Sequence, residues 1–198
     1  MSLTSDASET TPRPISTGRP PELIPLTGGI HLRRRRLADA AGLNSAVGGA
    51  NLDHLRPWMP WAQAPAPMEQ SLELARAGEE AWDAGTDFMY VAGLDAEPGS
   101  VIGAFGLHGR IGAGALEIGY WVHVDHVGRG IATDAARALT EAALALPGIE
   151  RVEIHCDEAN APSAAVPRRL GYHLDRTVDA PITAPSETGR QLIWITPA

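Results

Sequence analysis

The chain has 198 residues, which suits one ordinary α/β domain, and it carries a formal net charge of −8. All 16 basic residues are arginines, so lysine Schiff-base enzymes and phosphate-binding P-loops, which both require lysine, are excluded. An acidic chain without lysine also lacks the basic face that general nucleic-acid binding needs, and we expect no nucleic-acid partner.

The amino-terminal segment is rich in proline. Residues 1–28 contain five prolines and little periodic apolar pattern, which predicts an extended arm that packs on the domain or on a partner subunit. We predict that residues 29–198 form a single domain, which begins with a strand over residues 30–37. The four consecutive arginines Arg33 to Arg36 fit either an anionic-ligand or RNA patch or, as we favour, a solvated edge strand protected by its charges.

Two helices and a tryptophan loop come next. Apolar residues at helical spacing predict helices over residues 39–55 and 68–84, the second ended by Gly85. Between them, the sequence RPWMPW places Trp58 and Trp61 in one proline-bounded loop. Such a loop either lines a substrate pocket or caps the core.

The periodicity then changes from helix to strand. Residues 87–94 and 100–107 are predicted to pair as a hairpin, and residues 115–124 are predicted to form the third strand of a meander. On that third strand Glu117 points to the same face as His123, because successive side chains alternate between faces.

A glycine-rich turn, Gly128-Arg129-Gly130, leads into a helix predicted over residues 131–146. Glycines let a ligand approach the backbone, and free N–H groups at a helix start attract phosphate. A dinucleotide-binding fingerprint would need a third glycine where this chain has Thr133.

The remaining elements are predicted as strand, helix, strand and strand, at residues 151–156, 160–170, 173–178 and 190–196.

Four short segments lie in a specific order and spacing: LRPWMPW at 55–61, EIGYWV at 117–122 with GRGIAT at 128–133, NAPS at 160–163, and RLGY at 169–172. Together they resemble the GNAT N-acetyltransferase superfamily and, more narrowly, its RimJ/RimL branch, which acetylates protein N-terminal amines and various small amines. The resemblance covers residues 28–198.

The resemblance implies an α+β fold with a central mixed, mostly antiparallel sheet, splayed where acetyl-CoA binds and flanked by helices. The pyrophosphate is expected on the amides after Val127, a position where the family has Gln or Arg. Val122 and Val124 would offer backbone groups to the acetyl carbonyl and the pantetheine arm, and Asn160 would hydrogen-bond that arm. The predicted cofactor-binding residues are Val122, Val124, Val127, Gly128, Arg129, Gly130, Ala132, Thr133, Asn160 and Ser163.

Acetyl transfer to an amine needs a proton acceptor, a donor that stabilises the oxyanion and an acid for the departing thiolate. Amines arrive mostly protonated at neutral pH. Glu117 is the candidate base, through water, with an ordinary arginine-paired carboxylate as the alternative; His123, on the same face, is a second candidate base. Ser163 is the candidate donor to the thiolate by its match to the Asn-x-x-Ser segment, with a helix-start hydroxyl as the alternative.

These residues predict an N-acetyltransferase that transfers an acetyl group from acetyl-CoA directly to a primary amine. A protein or peptide N-terminus and a small amine, such as an antibiotic or metabolite, both stay open as acceptors. A non-catalytic acyl-CoA-binding sensor is the alternative from a different class. A homodimer, common in this branch, is a further possibility. The predicted acceptor-site residues are Trp58, Trp61, Trp121 and His123.

Cysteine usage and hydropathy predict a cytoplasmic location. The single cysteine, Cys156, cannot form an internal disulfide. No apolar run reaches the ~18 residues of a membrane helix, so we expect no membrane partner. Residues 1–21 lack the apolar stretch of a secretory signal.

His123 and His126 lie three residues apart and could suggest a metal site. Zinc sites need three or four ligands, and we predict no metal.

Overall fold

A computed structural model describes residues 15–196 of the chain, which form eight strands and five helices. The strands are β1 (Leu23–Leu26), β2 (Ile30–Arg34), β3 (Asp87–Leu94), β4 (Gly103–His108), β5 (Ala115–Val122), β6 (Arg151–Asp157), β7 (His173–Asp179) and β8 (Arg190–Ile195). The helices are α1 (Ala40–Ala46), α2 (Gly49–Leu55), α3 (Met68–Ala84), α4 (Ile131–Leu144) and α5 (Ala161–Arg169). None of these helices is long and apolar enough to cross a membrane.

All eight strands belong to one sheet, in the order β1-β2-β3-β4-β5-β6-β8-β7. Neighbouring strands are antiparallel except β5 and β6, which run parallel. These two strands pair only through residues 115–117 and 151–153, and they separate beyond that point. The gap in the centre of the sheet confirms the predicted α+β fold with a mixed, mostly antiparallel and splayed sheet.

The two faces of the sheet differ because side chains alternate along each strand. On one face, Leu107, Leu116 and Ile118 belong to a large buried apolar cluster that also contains Ile131 and Leu139 of α4. Burial of this apolar surface is the main force that holds α4 against the sheet. The other face of β3, β4 and β5 forms the floor of a cavity, and it carries small and polar residues together with the larger Met89 and Trp121.

The helix boundaries follow local backbone signals. Helix α3 coincides with the helix predicted over residues 68–84, and it ends at Gly85, whose φ of 73° is left-handed. The single helix predicted over residues 39–55 is wrong, because two helices, α1 and α2, occupy that segment. Gly48 is extended and Gly49 is left-handed between them, so the helix cannot continue through both residues.

Two expectations near the amino terminus change. Strand β1 lies within the predicted arm, residues 1–28, and pairs with β2; residues 1–14 lie outside the described part of the chain, and the domain boundary stays a prediction. The prediction that the arginine-rich strand is a solvated edge strand is wrong, because β1 covers its outer side. Arg34 is buried there between the carboxylates of Glu22 and Asp83, at 2.9 and 2.6 Å, which compensate its charge.

Candidate active site

A cavity of about 690 Å³ lies between the sheet and the helices that precede β3 in the chain. Its floor is formed by β3, β4 and β5, and Leu43 of α1 and Leu74 of α3 contribute to its walls. The cavity extends to the gap between β5 and β6, where Cys156, Asn160 and Ser163 line it. One continuous space therefore connects the helices above the sheet with the opening inside the sheet.

Ser163 stands at this gap with a defined position. It lies in the first turn of α5, and its N–H donates to Oδ1 of Asn160, the residue that caps the helix, at 3.2 Å. The Tyr120 hydroxyl lies 3.2 Å from Oγ of Ser163. Burial raises the pKa of Tyr120, so the phenol stays protonated at neutral pH. The structure thus joins the predicted donor, Ser163, to a second hydroxyl that the sequence analysis did not single out.

The glycine-rich turn is exposed, as a phosphate site requires. Gly128 and Gly130 have left-handed φ values of 75° and 80°, and α4 begins directly after them. Within residues 15–196, no protein group accepts a hydrogen bond from the backbone N–H groups of residues 127–130. The guanidinium of Arg129 donates to the carbonyl oxygen of Asp125 at 2.9 Å and stays exposed. A run of free N–H groups at the positive end of a helix dipole is suited to binding phosphate.

Three more predicted cofactor residues adjoin the glycine-rich turn: Val127 precedes it, and Ala132 and Thr133 follow it. The side chain of Val127 is 45% exposed. Ala132 and Thr133 lie in the first turn of α4 and are half-buried. The residues that line the cavity in the described chain do not include these three, so they belong to the surface outside it.

The end of β5 limits which backbone groups of Val122 and Val124 can meet the cofactor. The N–H of Val124 donates to Oδ1 of Asn51 in α2 at 2.9 Å, so the predicted contact of Val124 with the pantetheine arm would fall to its carbonyl oxygen. The N–H of His123 donates to the carbonyl oxygen of Ile102, beside β4, at 2.8 Å. Because successive N–H groups of a strand point in opposite directions, the N–H of Val122 points away from β4, toward the gap.

Glu117 lies at the closed end of the gap and is bound to an arginine. Nε and Nη2 of Arg110 donate to its two carboxylate oxygens at 2.7 and 2.6 Å. Burial raises the pKa of Glu117, but the hydrogen bonds from Arg110 and the electrostatic effects of His155 and Arg110 outweigh burial, and the pKa lies below its ordinary value. A carboxylate in this state is charged at neutral pH and is a weak proton acceptor. This geometry corresponds to the alternative interpretation of Glu117, a carboxylate paired with arginine.

The predicted acceptor-site residues separate into two groups. Trp58, Trp61 and Trp121 all line the cavity, and the rings of Trp61 and Trp121 lie 6.4 Å apart. His123 is not part of the cavity lining in the described chain. Its Nδ1 accepts the N–H of Asp125 at 3.2 Å, which caps a 3₁₀ turn. His123 stays extended past the end of β5, and its N–H still bonds to Ile102, so its place on the face of Glu117 stays a prediction.

Sequence reasoning missed a histidine on the cavity floor. His108 pairs in register with Asp87 of β3 on one side and with Glu117 of β5 on the other. Nδ1 of His108 lies 2.8 Å from Oδ1 of Asp87. No local motif marks this pair, since only the strand register brings the two residues together.

The described residues contain no group of three or more His, Cys, Asp or Glu side chains that could hold a metal ion. The pair that suggested a metal, His123 and His126, places its rings 6.1 Å apart. The side chains that line the cavity offer hydroxyl, thiol, carboxylate, imidazole and guanidinium groups.

Comparison with known proteins agrees with this geometry. Residues 30–173 match the Acetyltransferase (GNAT) domain family. No curated protein sequence matches the chain.

Several solved structures share the fold. The RimL ribosomal L7/L12 alpha-N-protein acetyltransferase in complex with coenzyme A has a TM-score of 0.78 and 21% identity, covering 88% of this chain and 97% of that one. Mycobacterium smegmatis RimJ in complex with CoA-disulfide has a TM-score of 0.77 and 23% identity, covering 89% and 87%. The microcin C7 self-immunity acetyltransferase MccE, in complex with acetyl-CoA and AMP, has a TM-score of 0.78 and 20% identity, covering 89% and 96%.

Proposed function

The chain belongs to the acetyltransferase (GNAT) family, and from this premise we propose that it transfers an acetyl group from acetyl-CoA directly to a primary amine. The observation that carries the proposal is the continuity of three features. An exposed glycine turn at a helix start leads to a gap in the sheet, and the gap opens into a cavity. These features suit the phosphates, the thin pantetheine arm and the acceptor, in that order.

The phosphates of acetyl-CoA bind the free N–H groups of residues 127–130 at the start of α4. Arg129 supplies the basic group nearest to them, since its guanidinium is exposed and has N–H groups beyond the one that Asp125 accepts. The pantetheine arm passes between β5 and β6, where Asn160 and the N–H of Val122 are its polar partners. The thioester then lies near Ser163, at the place where the gap meets the cavity.

The reaction begins when the amine nitrogen attacks the thioester carbonyl carbon. The N–H of Val122 stabilises the negative charge that develops on the carbonyl oxygen. As the carbon–sulfur bond breaks, Ser163 gives its proton to the CoA thiolate and recovers one from solvent. Tyr120 is a positioning residue in this step, because its hydroxyl holds the Ser163 oxygen at 3.2 Å.

The acceptor enters from the cavity, which has the volume of a small-molecule site. Trp58, Trp61 and Trp121 provide an apolar wall for the part of the acceptor that carries the amine. Trp61 is 49% exposed, so an acceptor larger than the cavity can extend past it. Both acceptor classes, a peptide N-terminus and a small amine, fit this arrangement.

Three measurements test the proposal. Calorimetry with CoA should show binding, and a thiol-release assay with acetyl-CoA should show turnover with members of a panel of short peptides and small primary amines. Mass spectrometry should then find one added acetyl group on the acceptor. Tight binding of acetyl-CoA without transfer to any amine would favour a non-catalytic acyl-CoA sensor, and absence of CoA binding would overturn the proposal.

A further inference from the structure

The cavity floor contains a histidine–aspartate pair that the proposed reaction has not yet used. Nδ1 of His108 lies 2.8 Å from Oδ1 of Asp87, and His108 lines the cavity. The His108 side chain is 18% exposed, and Asp87 is 37% exposed. A carboxylate at Nδ1 holds the imidazole in the tautomer whose Nε2 is free to accept a proton.

Two glycines make room for this imidazole over the sheet. A Cβ atom added at Gly106 would lie 2.7 Å from Nε2 of His108, and one added at Gly119 would lie 3.1 Å from it. The two glycines are register partners on β4 and β5. The ring therefore lies over Gly106 and Gly119, and Nε2 reaches from the position of His108 toward the part of β5 that borders the gap.

The position of Nε2 favours His108 over Glu117 as a proton acceptor. Gly119 lies two residues beyond Glu117 on β5, past the last residue that pairs with β6. The oxygens of Glu117 are occupied by Arg110, whereas within the described chain no protein group is hydrogen-bonded to Nε2 of His108. The titratable and charged groups on this part of the cavity are Asp87 from β3, Glu117 from β5, Arg110 from the turn between β4 and β5, and His155 from β6, whose Nδ1 lies 3.8 Å from Oε2 of Glu117.

We propose that His108, oriented by Asp87, is the catalytic base that takes the proton from the acceptor amine. This inference rests on the proposed function. As the amine nitrogen bonds to the carbonyl carbon, its proton passes to Nε2 of His108, the carbon–sulfur bond breaks, and the thiolate leaves with the proton from Ser163. His108 then releases its proton to solvent. Asp87 is a positioning residue, because it contacts the imidazole and not the acceptor.

The kinetic test compares wild type with His108→Gln, using acetyl-CoA and the best acceptor from the amine panel. We expect kcat to fall about 100-fold or more while the Kd for CoA stays unchanged. Protonation of the acceptor amine lowers the rate at acidic pH in both proteins, so the shape of the acidic limb, and not its presence, should differ between wild type and variant. Imidazole added to His108→Gly should restore part of the rate. Unchanged kcat and an unchanged pH profile in His108→Gln would overturn the inference while leaving the acetyltransferase activity established.

The chain offers a matched control in a second histidine–aspartate pair. Nδ1 of His31 lies 2.7 Å from Oδ1 of Asp95, but the lining of the cavity in residues 15–196 does not include His31. His31→Gln should leave both kcat and the pH profile as in wild type. An equal loss of activity in both variants would indicate a general effect of removing such a pair and would contradict a catalytic role for His108.

A second measurement does not depend on the acceptor. Nitrogen NMR of the histidine side chains, assigned by comparison with His108→Gln, should show Nδ1 of His108 protonated and Nε2 unprotonated at mildly basic pH. Asp87→Asn should change this tautomer distribution. It should also lower kcat while changing the KM for the acceptor little. A protonated Nε2 in wild type under these conditions would overturn the inference even if no acceptor had been found.

Discussion

Asn51 of α2 joins the helices above the cavity to the end of β5 through a single buried side chain. Its Oδ1 accepts the N–H of Val124 at 2.9 Å, and its Nδ2 donates to the carbonyl oxygen of Ala46 at 2.6 Å. Asn51 is 1% exposed; its hydrogen bond to Ala46 is buried, and its hydrogen bond from Val124 is partly buried. This side chain fixes the start of the turn that leads from β5 to the proposed phosphate site.

Asn51→Ala should destabilise the protein and weaken CoA binding together. The buried carbonyl oxygen of Ala46 and the partly buried N–H of Val124 lose their partner, and an unsatisfied buried group costs about 1–3 kcal/mol. Urea unfolding measures the stability and calorimetry measures the Kd for CoA. Asn44→Ala is the control, because the Asn44 side chain bonds to Ala66 and Ser71, away from the turn. A loss of CoA affinity as large in the control as in Asn51→Ala would show that the turn is not what Asn51 supports.

The hydroxyl pair at the gap should separate into a donor and a positioning residue. We expect Ser163→Ala to lower kcat by about 10²-fold or more, in the range found for loss of a general acid, with little change in the KM for acetyl-CoA. Tyr120→Phe should lower kcat less, since it removes only the 3.2 Å hydrogen bond that holds Ser163. The double variant should be no slower than Ser163→Ala. If the fold-losses in kcat of the two single variants multiplied in the double variant, the two hydroxyls would act in separate steps.

The parts of the fold that the sequence predicted well are those with local signals. Helix α3 lies between a proline and Gly85, and the turn at Gly128 and Gly130 has the glycines that left-handed φ angles require. The missed parts depend on tertiary contacts. Strand β1 is a short strand containing Pro25, and only its pairing with β2 reveals it.

The candidate site shows the same division between local and distant signals. The Asn160 cap and Ser163 lie three residues apart and can be found by their spacing. The ion pair that holds Glu117 and the contact between His108 and Asp87 arise from strand register, which one sequence without a structure does not determine.

The ion pair of Glu117 should make stability depend on pH. The pKa of Glu117 is lower in the folded protein, so its contribution is fully present above the unfolded carboxyl pKa of about 4.3 and is lost as the pH falls through the lower native value. Glu117→Gln should destabilise the protein by about 1–3 kcal/mol at neutral pH, less than a fully buried pair, because Arg110 is 62% exposed.

Unfolding by urea at several pH values measures this effect of Glu117. The difference between wild type and Glu117→Gln should shrink as the pH falls below about 4, because the wild-type carboxylate becomes protonated. Glu73→Gln removes an exposed carboxylate of α3 and should change stability little at any pH. A difference for Glu117→Gln that stays constant with falling pH would show that the ion pair is not its source.

The phosphate site can be tested by a pair of glycine variants with the same backbone strain. Gly130 has a φ of 80° and Gly148 a φ of 81°, and a Cβ atom at either position meets no atom within 4 Å. Alanine at each position should therefore lower the free energy of unfolding by a similar amount, about 1–2 kcal/mol, because of the left-handed conformation.

Only Gly130 adjoins the free N–H groups at the start of α4, whereas Gly148 lies beyond the other end of that helix. We expect Gly130→Ala to raise the Kd for CoA about tenfold, equivalent to ~1.4 kcal/mol, and Gly148→Ala to leave it unchanged in calorimetry. Equal effects of the two variants on the Kd would mean that strain, and not the geometry of the turn, controls CoA binding.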